Sequence, residues 1–280
     1  MSAQAPPELS KEHRLELARA YKLLERSSVA SRLTEWAGTP LQNVLQHVPD
    51  PLREKAEQAI EKAIHECLKI AVNSFKEAPQ RRPQTQLAAL SAGLAGVVGG
   101  FFGVAALPLE LPLTTILMLR AIADIARHHG EDLSKLEARL ACVEVFAYGA
   151  EKRGDVGYYA SRALLGRLSA DLSALLLQRS AAGVTAPATA AITGEVASRF
   201  GVAVWERAAA SALPFAGAAG AAAINVAFMS HFQRVARGHF MVRRLERIYG
   251  IEAVRRRYEA LVEADRERTE KARQGRQPKI

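Results

Sequence analysis

The sequence has few cysteines, few aromatic residues and few signals of β-structure. Its two cysteines, Cys67 and Cys142, form neither a metal-ligand spacing nor a disulfide framework. Aromatic residues make up 6% of the chain. Sustained Val/Ile/Thr alternation and Asn-Gly hairpin turns are missing, which argues against a sandwich or barrel. Because alanine is abundant and about half the residues are apolar, we expect an all-α fold of closely packed helices.

Several motifs that would indicate an enzyme are also missing. The sequence has no G-x-S-x-G elbow and no H-E-x-x-H zinc motif. The run GLAGVVGGFFG matches neither a P-loop nor a dinucleotide-binding fingerprint. We therefore assign no catalytic residue, no metal and no cofactor. The polar N-terminal stretch lacks the apolar core of a signal peptide, so we expect a reducing, cytoplasmic location.

Helical patterns cover most of the chain. Ser10 is the expected N-cap of a first amphipathic helix, and a stronger helix is predicted from about residue 52 to 75. Gly250 is expected to separate a closing pair of helices. We predict a disordered N-terminus over residues 1–8, one multi-helix bundle over residues 9–267 and a disordered basic tail over residues 268–280.

The bundle is expected to form around a glycine-rich apolar helical hairpin. From Leu87 to Leu119 the only charged residue is Glu110. The first arm, residues 86–106, has glycines four positions apart, which let two helix backbones approach closely. These hairpin-packing residues are Gly96, Gly99, Gly100 and Gly103. The turn is expected between Pro108 and Pro112, with the second arm starting near Glu110 and ending at about residue 129, before Gly130.

A second stretch, residues 208–230, is 23 residues long and carries no charge. Both this stretch and the first arm are long enough to span a bilayer. Alanine and glycine dominate them, however, and helices buried inside a soluble bundle are also apolar all round. Three arrangements stay open: a soluble or peripheral bundle that buries both stretches, a hairpin inserted into one leaflet, and a spanning hairpin.

A polar stripe runs along the predicted second arm. At 100° per residue, its positions Glu110, Thr114, Asp124 and His128 fall within about 80° of one another, with Arg120 and Arg127 beside them. It is interpreted in three ways. An Arg120–Asp124 ion pair lets the helix enter a core. Alternatively, Glu110 and Arg120 line a cavity for an amphipathic ligand such as a lipid or quinone. In the third interpretation, Asp124 and His128 begin a metal or hydrolytic centre. The further metal ligands considered are Glu131, Asp132, His65 and His231.

The formal net charge of +9 is concentrated near the C-terminus. Residues 243–280 contain 12 Lys/Arg against 7 Asp/Glu, a local charge of +5. A basic segment suits anionic lipid, nucleic acid or simple solvation. The interleaved acidic residues and the isolated Trp36 and Trp205 disfavour nucleic acid.

The segment GGFFGVAALPLELPLTTILMLRAIADIARHHGEDL, with the later Gly157-Tyr158-Tyr159-Ala160-x-Arg162, resembles the motifs of the EcsC family. These are bacterial proteins named after a member encoded beside an ABC transporter, and no biochemical activity is established for them. The resemblance covers most of residues 25–260. It implies a helical, bacterial, membrane-associated protein, and it singles out Glu110 and Arg120.

We therefore expect a non-enzymatic protein that is peripheral at the inner face of the cell membrane. Its expected partner is membrane lipid or a membrane transporter, and its candidate ligand-binding residues are those of the polar stripe. The alternative is a soluble hydrolase or metalloprotein that uses Glu110, Asp124 and His128. A further alternative is an anionic-surface or nucleic-acid binder acting through residues 243–279. The oligomeric state is not predicted.

Overall fold

The computed structural model describes residues 8–25, 48–73, 107–149, 157–178, 186–211 and 218–274. This part of the chain forms eight α-helices and no strand, which confirms the all-α prediction. In chain order the helices are α1 (Lys11–Glu25), α2 (Asp50–Asn73), α3 (Leu107–His128), α4 (Leu136–Tyr148), α5 (Tyr158–Gln178), α6 (Ala186–Ser211), α7 (Ala218–Tyr249) and α8 (Ile251–Gln274).

Three predicted helix ends are confirmed, and each is explained by residues within a few positions of that end. The Ser10 hydroxyl accepts a hydrogen bond from the His13 backbone N–H at 3.2 Å, so it caps α1. Gly130 ends α3 with φ +78°, a conformation that favours glycine. The Gly130 N–H donates to the Arg127 carbonyl and the Glu131 N–H to the Ala126 carbonyl, which is the Schellman pattern. Gly250 separates α7 from α8 with φ +83°.

The start of α3 differs from the prediction. The helix begins at Leu107 and continues through Pro112, so the expected turn between Pro108 and Pro112 is not there. Pro108 lies in the first turn, where proline is tolerated because those N–H groups have no intrahelical partner. Pro112 removes one backbone hydrogen bond further in. The first arm, with Gly96, Gly99, Gly100 and Gly103, lies outside the described residues.

The described parts of the second uncharged stretch belong to two helices. Residues 208–211 end α6, and residues 218–230 begin α7. In the part of the chain that the structure describes, no helix is both long and apolar enough to cross a bilayer. At the C-terminal end, α8 continues to Gln274, so residues 268–274, assigned above to a disordered tail, are helical here.

Helix α7 organises the bundle, because it packs against α1, α3, α4, α6 and α8. Four fully buried phenylalanines join α4, α6 and α7 through ring contacts with centroids 5.0–6.1 Å apart. They are Phe146, Phe200, Phe228 and Phe232. Helix α2 packs against α3, α6 and α4.

Candidate functional site

The structure divides the predicted polar stripe on α3 between core and solvent. Thr114 is buried, Asp124 is half-buried, and Arg120 and His128 are exposed. The predicted Arg120–Asp124 ion pair is replaced by one between Asp124 and Arg127, whose Nη1 lies 2.9 Å from Oδ1. The backbone of Glu110 belongs to α3, but the structure does not describe its side chain.

Two of the other residues considered as metal ligands, His231 and Asp132, make hydrogen bonds in separate parts of the structure. His231 Nε2 lies 2.6 Å from the Gly149 carbonyl oxygen, deep in the core. Asp132 accepts from the Ser134 N–H and hydroxyl in the turn before α4. Among the described residues, no three His, Cys, Asp or Glu side chains come close enough to hold a metal. The metalloprotein alternative stays a prediction, which elemental analysis of the purified protein tests.

A groove of about 660 Å³ runs between α2 and α6. Helix α2 contributes one face over residues 58–73, and α6 contributes its first turns over residues 189–193. At the other end of this contact Ile60 packs against Gly201. The two helices are therefore antiparallel, because low numbers on α2 meet high numbers on α6. The volume lies in the range of roughly 300–1,000 Å³ that small-molecule sites occupy.

The lining of the groove combines apolar and charged side chains. Leu68, Val72 and Ala190 supply apolar surface. Lys62 and Lys69 are exposed along the same face of α2. The remaining lining residues are polar or charged: Gln58, Glu61, His65, Asn73, Thr189 and Thr193. Polar and charged residues therefore run along the whole groove, from Gln58 to Asn73, beside the apolar surface.

Among the residues that line the groove, Thr193 differs in having a buried hydroxyl group without a hydrogen-bond partner among the described residues. The residue is 3% exposed, and within the described part of the chain its Oγ1 has no hydrogen-bond partner. A helical threonine usually satisfies its hydroxyl by donating to the carbonyl one turn earlier. Thr115 does so, donating to the Leu111 carbonyl at 2.7 Å. The Thr193 hydroxyl is therefore a buried polar group without a partner among the described residues, and its oxygen is covered rather than open to the groove.

A second polar region lies inside the bundle, where five of the six tyrosines form a chain of ring contacts. The chain runs from α1 through α8 and α5 to α4, and its members are Tyr21, Tyr258, Tyr158, Tyr159 and Tyr148. Their rings join four helices, so the Tyr158/Tyr159 pair takes part in helix packing. Burial raises the pKa of the Tyr158 hydroxyl, so it stays protonated.

His239 sits at the end of this chain. Its Nδ1 is 2.8 Å from the Tyr158 hydroxyl, and its ring packs on Tyr148. Burial lowers the pKa of His239 well below the usual value, helped by the positive charges of Arg162 and Arg243. The imidazole is therefore neutral, and among the described residues its Nε2 has no hydrogen-bond partner.

Two buried carboxylates complete this region. Glu246 accepts hydrogen bonds from Arg162 Nη1 at 2.6 Å and from the Tyr159 hydroxyl at 2.8 Å. Glu144 accepts from Tyr148 at 2.8 Å and from a serine hydroxyl of α5 at 2.6 Å. Both carboxylates thus tie neighbouring helices together rather than face a cavity.

Glu131, which follows the end of α3, holds that corner against α7. Its carboxylate accepts from Arg243 Nε at 2.9 Å and from Arg243 Nη2 at 3.1 Å, and Arg247 adds a further bond. Burial opposes ionisation of Glu131, but the hydrogen bonds and charges of the two arginines outweigh it and lower the pKa. Part of the C-terminal basic charge is therefore neutralised inside the protein.

Sequence reasoning missed most of these residues. The tyrosines at 158 and 159 and Arg162 were noticed only as a short motif, and no signal linked them to His239 or Glu246. Thr193 was missed because no local pattern in the sequence marks it as buried. The regular spacing of apolar and polar residues in α2 could be recognised in the sequence. Nothing in the sequence indicated that α6 is the helix that faces them.

These observations define an all-α bundle that has an amphipathic groove and an internal tyrosine–histidine region. The chain belongs to the EcsC protein family, whose model matches residues 12–245. The match runs from α1 into the last turns of α7, and α8 follows it. Among curated proteins and among solved structures, no significant match is found.

Proposed function

We propose that this protein is a non-enzymatic lipid-binding protein that works at a membrane surface. The observation that carries the proposal is the groove between α2 and α6, whose lining combines the apolar residues Leu68, Val72 and Ala190 with the charged residues Glu61, Lys62 and Lys69. Lipids combine an apolar chain with a polar end, so they match both parts of the lining. The tyrosine–histidine region joins α1, α4, α5, α7 and α8 through ring contacts and a hydrogen bond, which supports a structural role.

The exposed face of α8 supports a location beside anionic headgroups. Arg255, Arg256 and Arg257 are all exposed on its second turn. Basic side chains near an anionic membrane contribute roughly 1 kcal/mol each, an attraction that salt screens. A membrane transporter as partner is an expectation that comes from the family resemblance.

Fractionation and lipid extraction test this proposal together. The native protein is expected in the membrane fraction at low salt, and lipid is expected in solvent extracts of gently purified protein. Clean recovery from the cytosolic fraction with no co-purifying lipid would sink the proposal.

A matched variant separates surface attraction from groove binding. Arg256→Glu/Arg257→Glu reverses two exposed charges and leaves the groove intact. It is expected to reduce sedimentation with anionic vesicles, with little change for neutral vesicles and no change in extracted lipid. Unchanged sedimentation with anionic vesicles would contradict the role given to α8.

A further inference from the structure

We infer that the corner between α7 and α8 is the element that enters an anionic membrane surface. Ile248 and Ile251 reach the apolar boundary of the bilayer there, and nearby arginines contact the headgroups. This inference rests on the proposed function, because it names the element that makes the contact with the membrane. The groove between α2 and α6 takes no part in it.

The corner presents two large apolar side chains to solvent. Ile248 is 51% exposed and Ile251 is 59% exposed. They are three positions apart, so their Cα atoms lie within about 11 Å of each other. Gly250 between them has φ +83°, and no atom of the described residues lies within 4 Å of a Cβ built there. Both isoleucines therefore border the same open corner of the bundle.

Tyr249 fixes this corner to α1. Its hydroxyl is 2.8 Å from His13 Nδ1 and accepts a hydrogen bond from the Ser10 N–H at 3.3 Å. The His13 ring meets the Tyr249 ring edge-on, with centroids 5.4 Å apart. The backbone between the isoleucines is therefore anchored before it meets a surface, so little conformational entropy is lost on contact.

The exposed charges around the corner are mostly positive. Residues 247–257 contain four exposed arginines against one exposed glutamate, Glu252, a local charge of +3. Arg255 pairs with Glu259 only at the surface, and Arg256 and Arg257 have no ion pair among the described residues. Such a charge favours anionic lipid. A second copy of the chain would meet like charge at this corner in a two-fold contact, which disfavours self-association.

The spacing along α8 matches the two levels of a membrane interface. Arg255, Arg256 and Arg257 follow Ile251 by four to six positions, a rise of about 6–9 Å along the helix. Interfacial elements bury their apolar side about 5–10 Å into the boundary between headgroups and acyl chains. When the corner enters first, the isoleucines reach that boundary while the arginines stay among the headgroups.

Fluorescence at single positions tests this contact. The two native cysteines are buried, so a cysteine introduced at an exposed position is labelled selectively. Ile251→Cys carries an environment-sensitive dye, and Leu164→Cys, at a position 42% exposed on α5, is the matched control. The probe is a vesicle of equal parts phosphatidylcholine and phosphatidylglycerol. We expect a blue shift and quenching by lipid-borne quenchers at position 251 and neither change at position 164.

Sedimentation of full-length protein with the same vesicles measures how much the isoleucines contribute. Ile248→Ser/Ile251→Ser is expected to weaken binding about ten-fold, because the apolar transfer of two half-exposed side chains is lost. Leu164→Ser/Val202→Ser removes two exposed apolar side chains from α5 and α6 and is expected to leave binding unchanged. Thermal unfolding should give the wild-type Tm for both variants, since all four positions are exposed.

The outcomes separate this inference from the proposed function. If wild type binds vesicles but the dye at position 251 stays in water, or the two double variants sediment equally, the contact lies elsewhere and the membrane-surface function stands. If light scattering shows that Ile248→Ser/Ile251→Ser dissociates an oligomer, the corner joins copies of the chain, which also overturns the inference. If wild type binds no vesicles and no lipid co-purifies, the proposed function fails as well.

Discussion

Glu131 and Glu137 both form ion pairs with Arg243, and they differ mainly in burial. Arg243 Nε lies 2.9 Å from Glu131, whose side chain is 4% exposed. Arg243 Nη2 lies 3.2 Å from Glu137, whose side chain is 80% exposed. The same guanidinium therefore offers a direct comparison of a buried and an exposed carboxylate.

Glu131→Gln is expected to destabilise the protein by about 2 kcal/mol. Breaking a buried pair by removing one partner costs about 3–5 kcal/mol. The lower figure applies because glutamine keeps the shape and one acceptor, and because Arg247, with 41% of its side chain exposed, can reach water. Glu137→Gln is expected to cost less than about 0.5 kcal/mol, as exposed pairs do.

Urea unfolding followed by far-UV circular dichroism measures the free energy of unfolding of both variants, and thermal unfolding followed by the same signal measures their Tm. At roughly 2–4 °C per kcal/mol for a domain of this size, Glu131→Gln should lower the Tm by about 4–8 °C. If the two substitutions cost the same, the argument from burial is refuted.

The pH dependence provides an independent check of the Glu131 pair. The pKa of Glu131 is lowered in the folded state from an ordinary value of 4.5. Its contribution is therefore fully present above about pH 4.5 and is lost as the pH falls through the folded pKa. The stability difference between wild type and Glu131→Gln should shrink over that acidic range.

Three further substitutions test other features of the bundle. Ligand-free Thr193→Val should be more stable than Thr115→Val by about 1 kcal/mol, since it removes an unpaired buried hydroxyl rather than a bonded one. Gly149→Ala should cost about 1–3 kcal/mol, because a Cβ there would lie 2.3 Å from the buried Phe232 ring. Wild type should lose stability as the pH falls below 6.5, the ordinary histidine pKa, because unfolding lets His239 take up a proton. In His239→Gln the free energy of unfolding should depend less steeply on pH over this range.

Each of these three predictions has a control or a contrary result, all measured by urea unfolding. For Thr193→Val, lower stability than Thr115→Val would mean that the Thr193 hydroxyl is satisfied. For Gly149→Ala, the control is Gly166→Ala in α5, where no atom lies near the added Cβ and a gain of up to about 1 kcal/mol is expected. For His239, an unchanged acid slope in His239→Gln would show that other groups set it.

The helices were largely predictable, because their signals are local. The α2 periodicity, the Ser10 cap and the glycines at 130 and 250 each act within a few residues. The start of α3 was misplaced for the opposite reason. Two prolines predicted a turn, but proline weakens a helix by a limited amount, and packing of the following apolar face against α2 outweighs it.

The polar stripe on α3 shows what the local sequence cannot predict, which is the burial and the pairing of its residues. Helix geometry correctly groups Thr114, Asp124 and His128 on one side of α3. It does not say which parts of that side other helices cover. The structure buries Thr114 and exposes His128, and it pairs Asp124 with Arg127 because the i,i+3 arginine reaches its carboxylate.

The sequence alone determined that this is an all-α protein of the EcsC family, where several of its helices end, and which faces of those helices are apolar. Only the tertiary structure decided which faces meet. Glu131 and Arg243 are 112 positions apart, and the groove joins α2 to the first turns of α6. Periodicity identifies a surface that must be buried, but many pairings of helices bury similar apolar areas. The choice among them is made by close packing of the whole bundle, which no local pattern contains.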